Sequence, residues 1–174
     1  MLKLFNISDG YIEYLRQEHK HVYSNKEHHR SHERKYIGTV LTINNYNYFV
    51  PLSSPKDNNY WIKDGNYCIK PDSFVVWHIK DKTELKATLH FEDMIPVPNS
   101  EIELYNVKEE TDEKYKAVIL KEIEYIRKKE AKIIKRANVV YKNKVSGNPL
   151  PVYHSCLDYK ALEQMHDIWI GILK

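Results

Sequence analysis

The chain has 174 residues, of which 42% are hydrophobic and 29% charged, with five glycines and seven prolines. That balance can bury a sizeable core, and it excludes collagen-like, low-complexity and wholly disordered chains. The net charge of +3 hides a segregation along the chain. Between Glu92 and Glu113 eight acidic residues face Lys108 alone, a net −7, whereas between Lys114 and Lys144 eleven basic residues face three glutamates, a net +8. Such a block predicts a face that binds polyanions.

No stretch combines a basic start, an apolar centre and a small-residue cleavage site, and the longest uncharged run, 36–55, is interrupted by Asn44-Asn45-Tyr46-Asn47, which lipid would not tolerate. The sequence therefore reads as one cytosolic domain over 1–174. Cys68 and Cys156 have no CxxC spacing, so they read as buried structural thiols rather than a metal knuckle or a secreted disulfide framework.

Ser8 can cap a short helix over about residues 9–18, with Tyr11, Ile12, Tyr14 and Leu15 on its apolar side. Residues 19–34 lack apolar periodicity and hold five of the nine histidines, which predicts a polar, cationic loop. Next come Tyr36 to Ile43 and Tyr48 to Leu52, rich in β-branched and aromatic residues and joined by an Asn-rich connection, the pattern of a β-hairpin. "PLSSPK", Pro51 to Lys56, lies at the far end of its second strand. Asn66 to Lys70, Ser73 to Lys80, Leu85 to Phe91 and Ile102 to Val107 read as further short strands, with Pro96 and Pro98 confined to an edge or crossing. Thr111 precedes a long helix, running to about Lys142, whose apolar positions include Ile119, Ile126, Ile133, Ala137 and Val140. Ser155 to Asp158 predicts the cap of a last helix that buries Leu162, Met165, Ile168, Trp169 and Ile172. The class is α+β, with a small, curled antiparallel sheet. There is no phosphate-binding Gly loop, HExxH or GxSxG.

Five short blocks, "GYIEYL" (Gly10 to Leu15), "RKYIGTVL" (Arg34 to Leu41), "YFVPLSSPK" (Tyr48 to Lys56), "FEDMIPVPNSEI" (Phe91 to Ile102) and "YKAVILKEIEYIRKKEAKI" (Tyr115 to Ile133), resemble in the same order the ToxN/AbiQ endoribonuclease toxins of type III toxin–antitoxin systems, including their CptN branch. The resemblance implies a strongly curved, barrel-like antiparallel core of the Kid/MazF kind, with a short N-terminal helix, a long basic helix and a C-terminal helix. It also implies metal-independent RNA cleavage without a cofactor, and inhibition by a repeat RNA antitoxin that folds as a pseudoknot and closes a protein–RNA ring. Cellular or phage RNA is then the substrate. Lys35, the histidine loop and Asp57 to Lys70 depart from the family pattern.

Metal-free cleavage requires a base for the 2′-OH, cations or donors for the developing phosphorane charge and an acid for the leaving 5′ oxygen. Lys56, Ser53 and Ser54, on a turn stiffened by Pro51 and Pro55, suit the charge-stabilising role, and the guanidinium of Arg34 suits phosphate oxygens. The expected catalytic set is Arg34, Ser53, Ser54 and Lys56, with the general base unassigned. Tyr11, Arg30, His32, Lys35, Lys121, Arg127, Lys128 and Lys132 are expected RNA contacts. A solvated strand end and an ordinary charged helix face are the bland counterparts of these readings. His28 and His32 could share a metal only on a helix, which the polar segment does not predict, so no metal is expected. The alternative function is a non-catalytic module that grips structured RNA.

Overall fold

A computed structural model describes residues 1–25, 32–82 and 84–171. Among the described residues the strands are β1 (Lys3–Ile7), β2 (Tyr36–Ile43), β3 (Tyr46–Ser53), β4 (Tyr60–Lys63), β5 (Asn66–Ile69), β6 (Val76–Asp81), β7 (Glu84–His90), β8 (Ile95–Pro96) and β9 (Ile102–Leu104), and the α-helices are α1 (Asp9–Glu18), α2 (Glu113–Val145) and α3 (Tyr159–Trp169). Strands β1 and β4 are not legible in the sequence, because Lys3–Ile7 is too short to show alternation and β4 lies in the segment that departs from the family pattern.

The main sheet has the order β6-β7-β3-β2-β1-β9, with β8 added to β3, and every pairing is antiparallel. Strands β6 and β9 end it, so the expected barrel does not close. The long helix supplies the second layer in its place, laying Ile119, Ile126, Ile133, Ala137 and Val140 against the sheet. A sheet covered by a helix buries its apolar face without needing to curl onto itself.

The β2–β3 hairpin turns through Asn44 and Asn45, both at positive φ (49° and 70°), the backbone that asparagine tolerates best among non-glycine residues. In the "YIG" block, a Cβ added to Gly38 would lie 2.1 Å from the Phe49 ring, so only glycine lets β2 approach that ring.

Ser8 caps α1 as expected, accepting from the Tyr11 amide. Asp112, not Thr111, caps α2, and Asp158, not Ser155, caps α3. Ser155 instead donates to Glu92 Oε2 at 2.6 Å. Helix α3 buries Leu162 and Met165 but exposes Ile168 and Trp169, correcting that part of the expected apolar side; Ile172 lies outside the described residues. Between α2, α3 and the sheet, the buried Glu163 accepts from Tyr48 and Tyr141 through one oxygen (2.8 and 2.6 Å) and from Lys160 through the other (2.7 Å). All of its neighbours here are donors, so the carboxylate is satisfied inside the core.

Strands β4 and β5 form a separate two-stranded hairpin that exposes Trp61, Ile62 and Tyr67. Cys156 is buried as expected, but Cys68, on this hairpin, is half-buried, and both are free thiols.

Candidate active site

The site is built by register. Ser53 on β3 pairs with Thr88 on β7, and Thr88 pairs with His78 on β6. On the other side of β3, the ladder continues past Tyr36 through the Leu52 amide, which donates to the Lys35 carbonyl at 2.9 Å; this sets Arg34 opposite Ser53. Directly paired residues of an antiparallel ladder share a face. Arg34, Ser53, Thr88 and His78 therefore stand in one row across four chain segments. His90, two residues beyond Thr88, projects from the same face.

The side-chain contacts follow that row. Arg34, only 2% exposed, donates from Nη1 to Ser53 Oγ at 2.8 Å and lays its Cζ 3.9 Å from the centre of the Tyr23 ring. Tyr23 in turn meets the His90 ring edge to face at 5.8 Å and donates to the Asp93 carboxylate. His90 Nε2 lies 3.0 Å from Thr88 Oγ1, and Nδ1 lies 3.4 Å from Glu92 Oε1 and 3.7 Å from Asp93 Oδ2. Burial, with the Glu92 charge second, pushes the Asp93 carboxyl up to about 7, against the pull of Arg34, the Tyr23 hydrogen bond and Lys56. The Glu92 carboxylate is held below its usual range, because hydrogen bonds from His90 and Ser155 outweigh its burial.

A cavity of about 330 Å³ opens over this face, lined by Tyr23, Lys56, His78, Thr88, His90 and Glu92 together with the foot of the β4–β5 hairpin. The turn that delivers Lys56 is fixed locally, its amide donating to Asn59 Oδ1 at 2.7 Å and its carbonyl accepting from the Asn59 amide at 2.9 Å. An exposed ammonium, the Thr88 hydroxyl and two imidazoles thus line one pocket, with the Arg34 guanidinium buried against its Tyr23 wall, a donor set suited to a phosphodiester in reaction.

The expected catalytic residues divide. Arg34 and Ser53 touch, and Lys56 faces the cavity beside them. Ser54 is exposed and belongs to a second cavity of about 360 Å³ against α2, with His32, Glu33, Lys35, Lys86 and Glu122. Ser53 lines this second cavity too, and its link to the Lys56 cavity runs through Arg34 and the paired Thr88, a contact that Ser54, on the opposite face of the strand end, does not share.

Among the expected RNA contacts, Tyr11 is corrected: it is wholly buried, and its hydroxyl donates to the Pro96 carbonyl at 2.7 Å. Lys35 is corrected also, since it is buried, with Nζ donating to Asn6 Oδ1 at 2.8 Å and lying 4.3 Å from the Tyr105 ring centre. Burial lowers its pKa, as desolvation does to any ammonium. His32 stacks on Tyr115 at 3.8 Å and sits 3.5 Å from Asp112, at the start of α2 and away from Lys56. Arg30, with His28 and His29, lies outside the described residues. Lys121, Arg127, Lys128 and Lys132 are all exposed on α2. At about 100° per residue, Lys121, Lys128 and Lys132 form one stripe, while Arg127 falls about 120° away on the other flank.

Sequence reasoning missed Tyr23, His78, Thr88, His90 and Asp93. The available signal was polar residues inside otherwise apolar strands, "VWHIK" and "ATLHF". Among the described residues, His90, Glu92 and Asp93 bring three potential ligand atoms within 4.8 Å of one another. Their contacts already pair the imidazole with the carboxylates.

The chain resembles known proteins along nearly its whole length. It is 31% identical over 170 residues to the endoribonuclease ToxN of Bacillus thuringiensis subsp. kurstaki, covering 93% of this chain and 81% of that protein. It is 29% identical over 165 residues to the endoribonuclease AbiQ of Lactococcus lactis subsp. lactis, covering 93% and 86%. The solved structure of AbiQ, a lactococcal anti-phage endoribonuclease of a type III system, matches the fold with a TM-score of 0.81 at 24% identity over 98% of both chains. A type III toxin studied for its selective inhibition by a non-coding RNA pseudoknot matches with a TM-score of 0.80 at 27% identity, again over 98% of both. The family model for the toxin ToxN of type III toxin–antitoxin systems spans residues 3–167, and the chain belongs to that family.

Proposed function

We propose that the chain is a metal-independent endoribonuclease toxin, held in check by a pseudoknot RNA antitoxin in a protein–RNA assembly in the cytoplasm. The substrate's own 2′-OH attacks the adjacent phosphorus, leaving a 2′,3′-cyclic phosphate and a 5′-OH. The observation that carries this reading is the row of Arg34, Ser53 and Thr88 beneath a cavity into which Lys56 projects. Arg34 fixes Ser53 and supplies positive charge from below, and Lys56 supplies it from the solvent side. Both act before the phosphorane forms, because strand register and a closed turn hold them in place. Within the +8 block on α2, Lys121 and Lys128 border a third cavity together with Lys80 and Lys86, and Lys132 continues their stripe along the helix, which supports a surface that follows a phosphate backbone.

The family relationship supports RNA as both substrate and inhibitor, since a site that holds a cleaved phosphodiester end will also hold a processed antitoxin. Incubation of the purified protein with single-stranded RNA in EDTA tests the chemistry. Cyclic phosphate ends should form, and Lys56→Ala should reduce the cleavage rate by about a hundredfold or more with the fold unchanged. Intact RNA, under conditions in which the protein binds it, would favour the non-catalytic RNA-binding module instead.

A further inference from the structure

We infer that His90 is the general base of the cleavage, taking the substrate 2′-OH proton on Nε2 while Glu92 and Asp93 hold the ring through Nδ1. The inference rests on the endoribonuclease reading and supplies the group which that reading lacks.

Both ring nitrogens have assigned surroundings. Nδ1 faces two carboxyl groups, Glu92 Oε1 at 3.4 Å and Asp93 Oδ2 at 3.7 Å. Glu92 is held below its usual range and so is an ionised acceptor. The proton of the neutral imidazole then belongs on Nδ1, which leaves Nε2 as an acceptor. Nε2 lies 3.0 Å from Thr88 Oγ1, a hydroxyl that also lies 3.4 Å from the Ser53 carbonyl. When the Thr88 hydroxyl turns to the Ser53 carbonyl, the Nε2 lone pair is free for a second hydroxyl, the ribose 2′-OH, entering the cavity. The carboxylate–imidazole–hydroxyl order is one that activates oxygen nucleophiles on unrelated folds.

The ring's position suits the role. Its side chain is 15% exposed, and it lines the same cavity as Lys56. The Tyr23 ring meets His90, stacks under Arg34 and lies 6.0 Å from Lys56 Nζ, so base and cations gather around one aromatic ring. His78 lines the cavity too, but its Nδ1 is buried without a hydrogen-bond partner among the described residues. His32, on the α2 side, belongs to the other cavity.

In the step itself the O2′–P bond forms as its proton passes to Nε2, and the P–O5′ bond breaks with its electron pair on O5′. Solvent water protonates O5′, and the imidazolium returns its proton to solvent, so atoms and charge balance without a further reactant.

The test uses the full-length protein with a single-stranded RNA, in EDTA. His90→Gln keeps a hydrogen-bonding side chain that cannot take the proton, and His90→Ala leaves room for added imidazole. Cleavage by both should fall by about a hundred- to ten-thousandfold. Binding of a 2′-deoxy analogue should stay within about threefold, and imidazole should restore at least tenfold to His90→Ala and nothing to Lys56→Ala. Cleavage by His90→Gln close to that of the unmodified chain would overturn the inference. So would loss of activity without imidazole rescue in a His90→Ala protein that still binds the analogue, which would mark a structural histidine. If the unmodified protein leaves RNA intact in EDTA, the endoribonuclease reading fails first, and that result is distinguishable from either of the others.

Discussion

Arg34 is the residue whose replacement tests the site and the fold together. Methionine keeps the long apolar stem and removes the guanidinium, which donates to Ser53 Oγ at 2.8 Å and stacks 3.9 Å from the Tyr23 ring centre in a position only 2% exposed. A hydrogen bond from a charged donor contributes about 1.5–3 kcal/mol, and a desolvated cation–π contact about 2 kcal/mol. Part of this returns as apolar packing of the new side chain, which leaves a net loss of about 2–4 kcal/mol from a typical total of about 5–15 kcal/mol. For a chain of this length that lowers the melting temperature by about 5–15 °C. The Asp93 carboxyl, already at about 7, loses one of the charges that hold it down and moves higher. Arg34→Lys keeps the charge but not the planar fork, and should fall between the two. Melting followed by circular dichroism at pH 7, with RNA cleavage measured well below the transition, separates the stability loss from the catalytic one. A melting temperature for Arg34→Met within about 2 °C of the unmodified chain would refute the claim that this cation is part of the buried framework as well as a phosphate contact.

Two further perturbations address the α2 side. Burial raises the Glu122 carboxyl to about 7 from its usual 4.5, so the folded chain keeps that proton in a window where the unfolded chain has released it. Stability therefore falls as pH rises from about 4.5 to 7 and is level above, and Glu122→Gln should be more stable by up to about 3 kcal/mol at pH 8 while unchanged at pH 4. Equal melting temperatures at pH 8 would contradict this; Asp93, raised in the same direction, leaves the variant a residual slope. Replacing Lys121, Lys128 and Lys132 together by alanine should lower the slope of log binding constant against log salt for single-stranded RNA by about 2, whereas Arg127→Ala on the other flank should leave it unchanged. An equal loss from Arg127→Ala would remove the stripe as the RNA-tracking surface.

The sequence by itself determined much of the local order. Caps and periodicity placed α1 and α2 to within a few residues. The Asn-rich turn fixed the β2–β3 hairpin, and the charge count marked α2 as the basic element, because each of these depends on neighbours along the chain. It also determined the family, through five blocks in order, and with it the turn that carries Lys56. What it could not determine was which strands lie side by side. Alternation shows that Thr88 and His90 share a face, but only pairing sets that face beside Ser53 and Arg34, and only the path of 19–25 brings Tyr23 over both. Tertiary structure likewise decided that Ser53 is buried against Arg34 while Ser54 is exposed, that Tyr11 and Lys35 are taken up inside the fold, and that the sheet stays open under α2. The physical reason is common to all of these. A β-sheet site is assembled by hydrogen-bond register between distant segments, and the face a residue finally presents is set by what covers the other one.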